Sequence, residues 1–263
     1  MTTGELSGRV AVVTGGGRGI GESVARVLAR AGAGVIVAAR TETEIHALAA
    51  ELSALEHHVW AVPCDVTDPA SVDGLAREAT RLAGESGVGI LVNNAGVAHS
   101  APVARTELED WNRMLAVNAT GTFLCTRAFL PGMVEGGWGR VVNVASVAGL
   151  TGARYIAAYA ASKHAVIGLT RCAAADVADR GVTVNAVCPG YVDTPMTMES
   201  LQRISDKTGK SAEEALETVL AHTPQHRLIE PDEVAHAVLS LCGEGARGIN
   251  GQSIVIDGGE LLS

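Results

Sequence analysis

Val10-Ala11-Val12-Val13-Thr14-Gly15-Gly16-Gly17-Arg18-Gly19-Ile20-Gly21 decides the fold. An unbroken apolar run passes directly into a glycine-rich turn, and a helical pattern follows over 19–31. A strand with no polar alternation is the mark of a parallel sheet covered on both faces. Glycines at its end permit a tight turn and let the backbone approach an anion at the N-terminus of the next helix. The spacing is TGxxxGxG, and no register of these glycines satisfies GxGxxG. A strand, a glycine turn and a helix in this order predict a nucleotide-binding site.

The same grammar repeats outward from this stretch. Apolar, β-branched runs at 10–13, 35–39, 59–62, 90–92, 141–144, 182–187 and 253–256 read as seven strands. Helical patterns at 19–31, 42–55, 69–83, 107–132, 155–179 and 231–242 separate them. Such alternation predicts an α/β fold: a doubly wound, seven-stranded parallel sheet in a three-layer α/β/α arrangement. No linker or internal repeat divides 1–263, so a single domain is expected. Residues 194–228 break the alternation with a polar, helix-forming insert that includes Thr208-Gly209-Lys210. It follows the C-terminal end of a strand, where ligands bind in these sheets, and is expected to be a substrate lid rather than a solvated helix pair.

The second strand bears on which nucleotide is bound. Sites for NAD usually place an acid there for the ribose 2′-hydroxyl. Here the strand ends in Arg40, with no acid before Glu42. Arg40 could pair with a 2′-phosphate through two parallel hydrogen bonds, and Arg18 in the glycine turn could add a second cation. NADPH/NADP+ is therefore expected, NADH less so; the alternative is that both arginines are exposed surface charges.

Tyr159-Ala160-Ala161-Ser162-Lys163 is the candidate for chemistry. The chain has three tyrosines and three lysines, and one lysine falls four residues after a tyrosine. Positions i and i+4 share a helix face, so phenol and ammonium can act on one bound molecule. A nearby cation favours the phenolate, which suits a proton donor or acceptor near neutral pH.

Bulk properties narrow the partners. The chain has 263 residues, 47% hydrophobic and 19% charged, with a net charge of −9. That composition indicates a globular protein with a sizeable core. The acidic balance and the lack of a basic block argue against nucleic acid and anionic membrane. The polar start of the chain has no signal-peptide pattern, and no apolar run reaches membrane-helix length. The five cysteines lack CxxC spacing and the histidines lack ligand spacing, so reduced thiols, no metal and a cytoplasmic location are expected. Ser146 has no GxSxG elbow, which disfavours a Ser-His-Asp hydrolase.

Taken in order, Thr14-Gly15-xxx-Gly19-Ile20-Gly21, Asn93-Asn94-Ala95-Gly96, Asn118, Ser146, Tyr159-xxx-Lys163 and Pro189-Gly190 resemble the short-chain dehydrogenase/reductase family over essentially the whole chain. Within it, the chain looks most like bacterial ketoreductases acting on 3-oxoacyl thioesters or polyketides, and like 3-hydroxy acid dehydrogenases. The resemblance implies a Rossmann-like fold and NADPH-dependent reduction of a ketone to a secondary alcohol. The alternative is an NAD-dependent secondary-alcohol or 3-hydroxy acid dehydrogenase working oxidatively. Tyr159 would act as general acid, Lys163 would lower its pKa and bind the nicotinamide ribose, Ser146 would hold the substrate oxygen, and Asn118 would hold a water linking Lys163 to solvent. Gly15, Gly17, Arg18, Gly19, Ile20 and Gly21 would cradle the pyrophosphate. Arg40 would meet the adenosine phosphate, and Asp65 and Val66 the adenine. Asn94, Ala95 and Gly96 would line the ribose, with Asn93 bracing adjacent strands. Pro189, Gly190, Val192 and Thr194 would hold the nicotinamide end. For Asp65 a helix-start role is an equally open reading. A scaffold or sensor would be expected to carry a degraded Tyr–Lys pair, and here the pair is intact. A homotetramer built on 107–132, 155–179 and the last strand is also implied.

The substrate is less legible. Reductases that act on an acidic carrier protein often carry basic residues before the fifth strand and after the catalytic helix. Here the first position reads Glu135-Gly136-Gly137-Trp138-Gly139-Arg140, nearly devoid of positive charge, while Arg180 matches the second. Carrier thioester, coenzyme A thioester and free ketone all stay open. The expected pocket wall at 98–103 and 147–155 is small and apolar, with Tyr155, Tyr191 and His99 as candidate rim residues.

Overall fold

A computed structural model describes residues 4–262 except 210 and 222. Lys210 of the insert, and the outermost residues of the single domain expected over 1–263, lie outside the described residues.

The continuous apolar runs become seven parallel strands: β1 (Val10–Thr14), β2 (Gly34–Ala39), β3 (Val59–Pro63), β4 (Ile90–Asn93), β5 (Gly139–Val144), β6 (Val182–Pro189) and β7 (Ser253–Ile256). Their order across the sheet is β3-β2-β1-β4-β5-β6-β7. Alternate side chains feed opposite faces. Ala11, Val13, Val35 and Val37 face α1 (Gly19–Arg30), α2 (Glu42–Ala54) and α9 (Pro231–Cys242). Val12, Ile36, Ala38 and Leu91 face α3 (Pro69–Ala83), α5 (Gly121–Glu135) and α6 (Ala157–Asp176). Every residue of β1, β5 and β6 is buried. Each such valine contributes about 1.5–3 kcal/mol by leaving water, and a charge at Val12 would be stranded in the layer against α3, α5 and α6. The chain winds outward from β1 to β3, then restarts beside β1 at β4. Ligands bind at such a reversal, outside the carboxyl ends of the strands.

Two expectations need amendment. The helix expected over 107–132 is α4 (Leu108–Met114), a π-helical stretch at Leu115–Thr120, and then α5. The wider turn centres on Asn118, which is buried; such interruptions favour functional positions. The helix expected over 155–179 starts only at Ala157. Tyr155 has φ of 70°, and its carbonyl accepts from Ala101 N–H at 2.8 Å, so the preceding segment is tied to the loop after β4. The insert at 194–228 holds α7 (Pro195–Thr208) and α8 (Ala212–Leu220). Pro195 opens α7, Gly209 in the left-handed region ends it, and a reciprocal Ser211–Glu214 capping box starts α8.

Candidate active site

The glycine turn is built by mutual fit. Thr14 Oγ1 accepts from the N–H groups of Asn94 and Ala95, both at 3.1 Å, and Asn94 Nδ2 donates to the carbonyls of Thr14 and Gly15, both at 3.0 Å. Gly15 has φ of 62° and its missing Cβ would sit 2.9 Å from Ala95 Cα. A Cβ on Gly21 would collide with Gly15 O and Asn94 Nδ2. The turn, α1 and the loop after β4 can close together only with glycine at these places. The N-cap of α1 is Arg18, and no side chain caps its first-turn N–H groups. Free donors at a helix N-terminus suit a phosphate.

This turn opens on a cleft of about 190 Å³. Gly15, Gly17, Arg18, Gly19, Ile20, Arg40, Asp65, Val66, Asn94, Ala95, Gly96 and Thr194 all line it, as expected. Gly21 does not line it; its part is the close packing just described. Uncapped donors at the end of a glycine cradle fit a dinucleotide pyrophosphate. Asp65 is both a turn residue and a cleft residue. Burial opposes its charge, but bonds from Thr67 N–H at 2.9 Å and Thr67 Oγ1 at 2.7 Å, with Arg40 nearby, hold it below the usual carboxylate range. The helix cap is Asp68 instead, accepting from Ala70 N–H at 3.0 Å. Arg40 is 65% exposed and reaches Asp65 Oδ2 at 4.0 Å. Thr41, Glu44 and Cys64 line the cleft as well. The sequence reading missed Glu44 because it sits in the first turn of α2, past the strand end where an acid is sought.

A second cavity of about 250 Å³ shares Ile20, Asn94, Gly96, Val97, Thr194 and Met196 with the first. Ser146, Tyr159, Lys163, Pro189, Gly190 and Val192 line it, which brings together the remaining expected residues other than Asn118. Ser146 follows β5; its Oγ accepts from Ala148 N–H at 3.1 Å and lies 3.4 Å from the Pro189 carbonyl. Tyr159 and Lys163 lie in the first two turns of α6. Lys163 is buried, its Nζ donates to Val144 O at 2.8 Å, and it stands 5.7 Å from the Tyr159 ring centroid. Burial pushes the Lys163 ammonium down to about 8. Burial likewise raises the half-buried Tyr159 phenol, against a lowering hydrogen bond from Ser146. Burial and the Ser146 bond thus pull the phenol in opposite directions, and burial prevails. Cys188, beneath the same floor, is pushed up to about 11 by burial and is a thiol.

Asn118 does not itself line this cavity. Its Oδ1 accepts from Val97 N–H at 2.8 Å, and its Nδ2 donates to Val97 O at 3.0 Å and Ser162 Oγ at 2.9 Å. Ser162 Oγ in turn donates to Tyr159 O at 2.7 Å. Asn118 thus anchors both the loop after β4 and the first turn of α6. Behind it, Asn93 Nδ2 donates to Thr126 Oγ1 at 3.1 Å and to Asn143 Oδ1 at 2.8 Å, and Asn143 Nδ2 donates to Thr170 Oγ1 at 2.8 Å. Asn93 braces β4 to β5 as expected; Asn143, hidden inside an apolar strand, was not singled out.

His99 and Tyr191 line the second cavity, and His99 Nε2 lies 3.4 Å from Asp110 Oδ2. Tyr155 lines neither cavity and is 57% exposed. Arg203 and Ser200 of α7 and Glu260 of the C-terminal segment also line the second cavity, and sequence spacing gives no signal for them.

Comparison with known proteins agrees with this geometry. A family model described as short chain dehydrogenase matches residues 9–205. D-beta-hydroxybutyrate dehydrogenase of Rhizobium meliloti is 37% identical over 259 residues, covering 95% of this chain and 98% of that protein. A 3-oxoacyl-[acyl-carrier-protein] reductase of Synechocystis is 39% identical over 259 residues, covering 98% of both. Among solved structures, a variant of actinorhodin polyketide ketoreductase with NADPH superposes with a TM-score of 0.92 at 38% identity, covering 97% of this chain and 98% of that one.

Proposed function

Because the chain belongs to the short-chain dehydrogenase family and is thereby an NAD(P)-dependent oxidoreductase of ketone and hydroxyl groups, we propose that it reduces a ketone to a secondary alcohol with NADPH. The observation that carries this reading is the meeting of Ser146, Tyr159 and Lys163 on one cavity that runs into the glycine cleft. When bound, the nicotinamide supplies the hydride. Tyr159 gives its proton to the carbonyl oxygen, for which a phenol held protonated is suited. Ser146 orients that oxygen. Lys163 restores the proton through Asn118 and solvent, and its lowered affinity for protons makes it a ready donor. Gly190, Val192 and Thr194 line the wall where the nicotinamide would lie.

The preference for NADPH rests on Arg40 and Arg18 at the cleft, supported by the NADPH-bound neighbour. Glu44 in the same cleft favours a second reading, an NAD-dependent dehydrogenase working on a 3-hydroxy acid; the named hydroxybutyrate relative is in keeping with it. A carrier-protein substrate is less well supported. Arg140, the lone cation of the 135–140 stretch, stands in β5, is 2% exposed and lies 4.5 Å from the Trp138 ring centroid, out of a partner's reach. Arg180 is exposed but lies 3.3 Å from Asp179.

We also propose a single domain with α7 and α8 as its substrate lid, a cytoplasmic location, and a homotetramer. Trp111, Phe123 and Val255, exposed on α4, α5 and β7, suit the last of these. Among the described residues no helix is long and apolar enough to cross a membrane.

The test is loss of reduced-nicotinamide absorbance with acetoacetyl-CoA, beside a free cyclic ketone, with NADPH and with NADH. Faster turnover with NADPH supports the leading reading. Turnover with NAD+ and a 3-hydroxy acid, and none with NADPH, replaces it with the second.

A further inference from the structure

Asn118 and Ser162 are both fully buried. A primary amide has two donors on its nitrogen and two acceptor positions on its oxygen. In Asn118 both donors are taken, by Val97 O at 3.0 Å and Ser162 Oγ at 2.9 Å. Val97 N–H takes one acceptor position on Oδ1 at 2.8 Å, which leaves the second. The main-chain carbonyl of Asn118 already accepts from Thr122 Oγ1 at 2.7 Å.

Asn118 Oδ1 and Lys163 Nζ meet across Gly96. A Cβ on Gly96 would stand 3.4 Å from Oδ1 and 3.8 Å from Nζ. Both polar atoms thus lie within contact distance of one point, and a glycine leaves that point open. Gly96 itself lines both cavities. Lys163 Nζ gives one of its three donors to Val144 O, so donors remain for this side.

Ser162 decides how the amide is held. Its hydroxyl donates to Tyr159 O at 2.7 Å, which turns its lone pairs to the amide of Asn118. A helical serine commonly bonds back to a carbonyl of its own helix and does no more. This one also takes the Asn118 donor that Val97 leaves. It therefore ties the amide to the main chain of Tyr159, one residue before Lys163.

We propose that Ser162 is a positioning residue for proton return, holding Asn118 Oδ1 towards Lys163 across Gly96. This rests on the carbonyl-reductase reading of the site. With hydride supplied by the reduced nicotinamide, which leaves oxidised, the ketone oxygen takes the Tyr159 proton and a phenolate remains. Lys163 gives a proton to the phenolate and takes one from solvent, by way of water held at Asn118 Oδ1. One proton is drawn from solvent for each ketone reduced. Without the Ser162 hydroxyl, a buried N–H of Asn118 loses its partner and the amide is free to turn from this line.

The experiment measures steady-state reduction of acetoacetyl-CoA and of a cyclic ketone by the full chain, in H2O and in D2O, with NADPH and with NADH. Ser162→Ala is expected to lower kcat about tenfold, the scale of one buried hydrogen bond, with KM for ketone and nucleotide unchanged. Its kcat is expected to respond more strongly to D2O than that of the unsubstituted enzyme, because proton return then limits the rate. Ser162→Thr, which keeps a hydroxyl, is expected to recover part of the loss. In an Asn118→Ala background, Ser162→Ala is expected to cost nothing further, since it acts through that amide. The inference falls if Ser162→Ala keeps the unsubstituted kcat, if its loss brings no larger solvent isotope effect, if dinucleotide binding by fluorescence falls with it, or if the two substitutions multiply. Each of these outcomes leaves the reductase reading standing. No turnover of either ketone by the unsubstituted chain with either nucleotide removes both.

Discussion

Lys163 Nζ donates to the Val144 carbonyl at 2.8 Å, joining α6 to the end of β5 two residues before Ser146. The bond fixes an ammonium in a buried site whose pull is towards the neutral amine. Activity and stability should both register that tension.

For stability, the sign follows from proton counting. Lys163 titrates at about 8 in the fold and at 10.5 when free of it. Between these values the unfolded chain binds more protons, so this group makes stability rise with pH across the window. Below about 8 the charge is buried at full cost. Thermal unfolding of Lys163→Met relative to the unsubstituted protein should be most favourable to the variant below pH 8 and lose that advantage as pH climbs towards 10.5. A difference in Tm that is constant with pH would contradict the assignment.

For activity, ketone reduction consumes a proton that this relay must replace. Its kcat/KM should be level below about pH 8 and decline above it, while alcohol oxidation should rise through the same region. A reduction rate that stays level well above that value would uncouple Lys163 from the proton supply.

Removing the phenol alone should abolish chemistry without unfolding the chain. Tyr159→Phe is expected to lower kcat by about 10²–10⁴, the usual worth of a positioned acid, with nucleotide affinity nearly unchanged. Dinucleotide binding by fluorescence beside turnover checks both halves. Wild-type turnover in this variant would sink the mechanism.

Nucleotide choice should divide between Arg40 and Glu44. Arg40→Ala is expected to raise KM for NADPH about tenfold with little effect on NADH, the weight of one charge-assisted contact at an exposed site. Glu44→Gln should shift preference the opposite way. If Arg40→Ala leaves the NADPH-to-NADH ratio untouched, its guanidinium is only a surface partner of Asp65.

The asparagine brace behind the site should matter for stability. Asn143→Ala removes the acceptor of Asn93 and the donor to Thr170 in a fully buried place. A loss of about 2–4 kcal/mol is expected from the lost bonds and the stranded amide. Chemical denaturation at fixed protein concentration measures it, and a loss below about 0.5 kcal/mol would mean that the chain repacks around the gap.

The strands were legible because each carries an apolar, β-branched run, so their expected limits fall within a residue or two of those found, with Arg140, Asn143 and Asn185 as buried polar exceptions inside β5 and β6. The Tyr159–Lys163 pair and the glycine turn were legible because their chemistry demands fixed residue types at short spacing. The interruption at Leu115–Thr120 was not, because Asn118 is drawn inward by Val97 and Ser162, which tertiary packing brings to it. Tyr155 misled for the same reason: a bond from Ala101, far off in sequence, delays the helix. Glu44, Arg203 and Glu260 reach the two cavities from a helix, an insert and a tail, and no periodicity links them to either.

Leu201, Ala215 and Val219, with Ile204 and Leu216, form a small apolar nucleus of their own between α7 and α8, separate from the clusters that cover the sheet. The hairpin thus supports itself, while Ser146, Tyr159 and Lys163 depend on the sheet and α6. Heritable change can accumulate in one without disturbing the other. On the lid reading proposed above, a lineage can exchange what it recognises by rewriting α7 and α8, and keep its proton machinery through the exchange.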